Sequence, residues 1–270
     1  MDSHLANSCD QIVDPVGVRS LFGIPHAFSR LAGVLTSPHE TFKAIDRKPS
    51  WITPVVISIL IAIAGNAFFY WRVNPDWEQR IRASIDRYTE TTGQTMSPDQ
   101  VAQQVASAKM FGDFFIWLPA VFIPLFCVAI AGFYWLAFGM AFLRAPSFKK
   151  ILSVVGWSQA AIKAVGMPII LIVLMAVDKE RLNSLEMGNS TLVQSNLGVL
   201  LPNGISPGLR SLAVSLDLFT IWFLVLLTIG FSGVGLGSQR ITPVKIASLV
   251  FGMWLVWVLL KAGLAFVFGY

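Results

Sequence analysis

The chain has 270 residues, of which 55% are hydrophobic and only 13% are Asp, Glu, Lys or Arg, with a mean hydropathy of +0.67. Soluble domains carry roughly a quarter charged residues, so a water-facing globule is excluded and a bilayer-embedded protein is indicated. The net charge of +5 is read by position, because cations orient membrane proteins; a nucleic-acid partner is not expected.

Residues 1–17 read as a disordered polar tail. Asp2, Asp10, Asp14 and Arg19 interrupt the start, so no cleaved signal peptide is expected, and the first span would serve as the uncleaved targeting signal. Residues 18–50 read as a cytoplasmic amphipathic segment. Its first part mixes Leu21, Phe22, Phe28, Leu31 and Leu35 with Arg19 and Arg30, a composition suited to lying on a membrane surface. Ser37-Pro38-His39-Glu40 marks a helix start, with a Ser N-cap, Pro at the first position and Glu three residues on. In that helix Phe42 and Ile45 are expected to face the bilayer, and Lys43, Arg47 and Lys48 to sit by anionic head groups. The segment is then either a lipid or partner contact, or a simple topological anchor.

Five segments have the roughly 20 apolar residues that a spanning helix needs. They cover about 51–71, 114–143, 151–177, 212–236 and 244–269. Pro54 falls in the opening turn of the first, Pro119 and Pro124 near the start of the second, and Lys163 and Pro168 interrupt the third. Trp51, Trp71, Trp117, Trp157 and Trp222 lie near segment ends, as an interfacial aromatic belt would have them.

The loop after the first span has its own periodicity. Trp77, Ile81, Ile85 and Tyr88 recur at helical spacing, Asn74-Pro75 is placed to cap that helix, and Ser97-Pro98-Asp99-Gln100 is a capping-box signal. A helical hairpin packed on the membrane or the bundle is expected. The loop before the fourth span turns apolar at Leu197–Leu201 and is then broken by Pro202, Gly204, Pro207 and Gly208. Asn189-Ser190-Thr191 matches a three-residue glycosylation acceptor, relevant only in a eukaryotic secretory compartment.

Short loops give the orientation. Arg19, Arg30, Lys43, Arg47 and Lys48 precede the first span, Arg144, Lys149 and Lys150 join the second to the third, and Arg240 and Lys245 join the fourth to the fifth. The other side has long loops in which acids balance the cations. The positive-inside rule then puts the N-terminus in the cytoplasm and the C-terminus outside.

Catalytic signatures are absent. His4, His26 and His39 all precede the first span, Cys9 and Cys127 suggest no disulfide framework, and HExxH, Walker A and GxSxG patterns are missing. Gly233, Gly235 and Gly237 follow a membrane helix, not a strand, so they suit close helix approach in a GxxxG manner better than a nucleotide. No metal or cofactor is expected. The remaining candidates are intramembrane charges: Lys163 mid-span, and Asp217 and Lys261 at similar depth in the fourth and fifth segments. Such residues are costly in lipid and mark either a functional path or polar helix contacts and snorkelling.

Three passages resemble the bacterial branch of the Yip domain family, the five-span proteins related to eukaryotic Rab-interacting Golgi proteins. They are residues 30–35 with Ser37-Pro38, Thr41-Phe42, Ile45, Lys48-Pro49-Ser50-Trp51 and Pro54; Ser97-Pro98 with its Gln- and Ala-rich helix; and Ser147-Phe148-Lys149-Lys150 with Pro168. The eukaryotic Asp-Leu-Tyr-Gly-Pro-like signature is not in this chain. The resemblance implies an all-α polytopic membrane domain over 51–270, short amphipathic helices in the N-terminal segment and first outer loop, and a bacterial inner-membrane location. It implies no catalytic residues. It points to a scaffold in membrane organisation or trafficking, acting through other membrane proteins or self-association. A small transporter or channel using Lys163, Asp217 and Lys261 is the alternative.

Overall fold

The computed structural model describes residues 24–74, 77–93, 95–143, 145–178, 195–202, 204–234 and 241–268. The polar tail, the glycosylation match and Gly235 and Gly237 lie outside them. In chain order the elements are α1 (Ile24–Thr36), α2 (Pro38–Arg47), α3 (Ile52–Val73), α4 (Trp77–Thr92), α5 (Pro98–Phe115), α6 (Leu118–Phe142) and α7 (Phe148–Ala176). A 3-10 turn (Leu197–Leu200), α8 (Pro207–Ser215), α9 (Leu218–Gly233) and α10 (Pro243–Phe268) follow. The protein is an all-α polytopic membrane protein.

Helices α3, α6, α7 and α10 are 22, 25, 29 and 26 residues long and apolar enough to cross a bilayer. Helix α9 is as apolar but has 16 residues, about 24 Å against a hydrocarbon core of about 30 Å. Its start falls later than hydropathy suggests. The apolar run from Leu212 is cut because Asp217 caps α9, its carboxylate accepting the Thr220 N–H at 2.9 Å. Residues 212–215 belong instead to α8, which packs on the C-terminal half of α10. Gly208 permits that approach: a Cβ there would lie 3.1 Å from Ala262 O and 3.1 Å from Phe266 Cβ.

The second span starts at Leu118 and not at 114, because Ile116 and Trp117 separate α5 from α6 and Pro119 occupies the first turn, where its missing N–H costs nothing. The loop after the first span is the expected helical hairpin, α4 against α5. Ser97 and Gln100 form the capping box, with Gln100 Oε1 accepting the Ser97 N–H at 2.9 Å. Asn74 ends α3 in the left-handed conformation, φ 43°, a position Asn tolerates better than most residues.

Helix α7 is the axis of the bundle, touching α1, α2, α3, α6 and α9. From 151 to 158 every residue is buried. Trp157 is therefore not interfacial. It is fully buried and donates Nε1–H to Ser50 O at 3.1 Å, while Trp71 and Trp117 are exposed as a belt requires. Aromatic contacts close the other side: Phe231 of α9 stacks on Tyr134 and Phe138 of α6 at 5.2 and 5.1 Å.

The largest departure from expectation is α2. Phe42 and Ile45 do not face lipid; both are 0% exposed. Phe42 enters a recess above Gly230, where a Cβ would stand 3.2 Å from its ring and would overlap Val154. Gly233 lets the α2 backbone itself approach, with Lys43 N 3.5 Å from its would-be Cβ. Burying two large apolar side chains against protein also removes them from water, which an amphipathic helix needs whichever surface supplies the cover. Polar ties fix the docking. Asp46 pairs with Lys150 of α7 at 2.6 Å, and Arg30 of α1 donates to Ser50 Oγ at 2.6 Å.

Candidate functional site

The docked α2 spends its apolar face on the bundle and leaves Lys43, Arg47 and Lys48 exposed. Lys43 pairs with Glu40 at 3.1 Å across one turn, a solvated contact of small energetic weight. Because α2 packs at the C-terminal end of α9 and beside the start of α7, these cations share one end of the bundle with Lys149 and Lys150.

The three intramembrane charges do not converge. Asp217 accepts hydrogen bonds from Thr220 N–H and from the Ser195 hydroxyl. An isolated backbone bridge joins Asn196 to Asp217, with Leu218 N donating to Ser195 O at 3.1 Å. Asp217 thus holds the 3-10 segment and the start of α9 together. Lys163 is half-buried on α7, within electrostatic range of Cys127 on α6. Lys261 of α10 has no acidic partner among the described residues, and no ion pair joins it to Asp217.

Lys261 instead lines two cavities. The larger, about 700 Å³, runs between α6, α7, α9 and α10, with Phe133, Gln159, Phe219, Trp254 and Trp257 in its walls. The smaller, about 510 Å³, lies between α8 and α10 and adds Arg210 and Ser211. Val214 and Lys261 border both. Sequence reasoning singled out Lys261 and missed the groove beside it. A usable signal was present: Trp254 and Trp257 stand well inside a 26-residue helix, away from the interfacial positions that Trp favours. Arg210 lies before the apolar run that starts at Leu212, so hydropathy alone leaves it in a loop, whereas it belongs to α8.

Among the described residues no group of three His, Cys, Asp or Glu is placed to hold a metal ion. Apolar helices with outward-facing Leu, Phe, Val and Met, a central helix buried over its N-terminal part and thin polar content define a polytopic helical membrane protein. The Yip1 domain model matches residues 32–265, and the chain belongs to that family. No curated protein and no solved structure matches the chain.

Proposed function

We propose that this Yip1-family chain is a non-enzymatic scaffold in membrane organisation or trafficking, acting through protein–protein contacts at its α2 end. The observation that carries this reading is the docking of α2. Its apolar residues are consumed by the bundle, so Lys43, Arg47 and Lys48 form a fixed cationic face at the bundle end. A face held by Phe42, Ile45 and the Asp46–Lys150 pair presents charge without first ordering a loop, which lowers the entropic cost of binding an acidic partner. The family is not known as enzymatic, which supports the same reading. The basic short connections support an inner-membrane orientation with this end in the cytoplasm and the C-terminus outside.

A photo-crosslinker at position 47, used in native membranes, tests the proposal against one at lipid-facing Leu260. Discrete protein adducts from position 47, lost on Lys43→Glu with Lys48→Glu, are expected. Identical adducts from both positions would sink the scaffold reading. Transport through Lys163, Asp217 and Lys261 is the second reading, favoured by the Lys261-lined cavity. Solute or ion flux in liposomes that Lys163→Leu abolishes would move it to first place.

A further inference from the structure

The two cavities at Lys261 have complementary chemistry. The larger is an aromatic and aliphatic groove with a volume of about 700 Å³, enough to seat much of an acyl chain. The smaller carries two cations, Arg210 and Lys261, together with the Ser211 hydroxyl. No Asp or Glu lines either cavity among the described residues. Asp217, the nearest acid in sequence, is turned to the Thr220 N–H and the Ser195 hydroxyl. Lys261 lies seven residues before the end of α10, about 10 Å along the axis, so its stem can carry the ammonium toward head-group level. Arg210 reaches the same place from α8, which is fixed on α10 through Gly208.

We infer that this junction is a binding site for one anionic phospholipid, with its phosphate held by Arg210, Lys261 and Ser211 and one acyl chain in the groove between α6, α7, α9 and α10. Charge complementarity selects the occupant. Two cations with no acidic partner among the described residues, beside an apolar groove, match a molecule that is anionic at one end and aliphatic at the other. A zwitterionic lipid would bring its own cation against Arg210 and Lys261 and lose most of the attraction. The guanidinium can meet phosphate oxygens bidentately, and the ammonium adds a point charge beside it.

Native mass spectrometry of the full chain tests this, from mixed micelles of neutral detergent with equimolar dioleoyl phosphatidylglycerol and dioleoyl phosphatidylcholine. The wild type should retain one phosphatidylglycerol in preference to phosphatidylcholine. Lys261→Gln and Arg210→Gln should each reduce that preference by about five-fold, taking about 1 kcal/mol per cation near a head group, and Lys261→Arg should preserve it. Ala129→Trp, which fills the groove from α6, should lower occupancy by both lipids without changing the helical circular dichroism. Excess glycerophosphoglycerol, the head group without chains, should not displace the lipid. Equal retention of the two lipids by the wild type would overturn the inference. So would an unchanged preference in the Arg210→Gln, Lys261→Gln double variant, displacement by the chain-free head group, or a lipid-free dimer as the species in which the groove is protected.

Discussion

Replacing Phe42 with Ala separates the two places an amphipathic α2 can rest. Against lipid, the truncated side chain would merely lose contact with acyl chains, which refill the gap. Against the bundle, Phe42 is 0% exposed and fills the recess over Gly230, beside Val154, where rigid helix backbone cannot follow the missing ring. Phe→Ala at such a site costs about 3–5 kcal/mol. Since each 1.4 kcal/mol is about tenfold in an equilibrium constant, opening of α2 should become roughly 100-fold or more easier, up to complete release of the helix. Hydrogen exchange of the α2 amides in nanodiscs reads this directly, with Arg47→Ala on the exposed face of the same helix as the control. Arg47→Ala should leave protection nearly unchanged, as surface substitutions do. Gly230→Ala should mimic Phe42→Ala from the opposite side, because its Cβ overlaps Val154 and crowds the Phe42 ring. Equal protection in Phe42→Ala and Arg47→Ala would refute the docking argument.

Two other substitutions follow from the same geometry. Trp157→Phe removes the donor to Ser50 O and leaves a gap in the fully buried N-terminal part of α7; a loss of about 2 kcal/mol should lower the detergent-solubilised unfolding midpoint by roughly 4–8 °C, and a shift within about one degree would contradict the buried hydrogen bond. Asp217→Ala removes the α9 cap at a cost of about 1–2 kcal/mol and should raise hydrogen exchange in the first turn of α9, whereas Asp217→Asn, which keeps a side-chain oxygen, should restore most of the protection; equal exchange in both variants would remove the capping role.

The spans were legible because a helix apolar on all sides has few places to go except lipid or a deep core. Their ends were less so. Hydropathy runs smoothly through Leu212 and past Asp217, and only the cap at Asp217 shows that α8 and α9 are separate helices. The amphipathic pattern of α2 was also plain, but Phe42 and Ile45 at helical spacing look the same whether lipid or protein covers them. Gly233 at the end of α9 did signal close approach. Its partner is α2 and not another span, and nothing local to Gly230 or Gly233 encodes that. The cavity at Lys261 depends on residues from α6, α7, α8, α9 and α10 meeting at one point, so only the mid-helix tryptophans hinted at it.

The five-span arrangement requires α9 to cross the membrane despite its 16 residues. Variants with one introduced cysteine in a Cys9→Ser background, with buried Cys127 left in place, decide this with a membrane-impermeant maleimide applied to oriented vesicles. Five crossings predict that Lys48→Cys, Leu143→Cys and Thr242→Cys label from one side, and Gly93→Cys and Gly204→Cys from the other. Labelling of Gly204→Cys and Thr242→Cys from the same side would mean that α9 does not cross, and the five-span arrangement would fall.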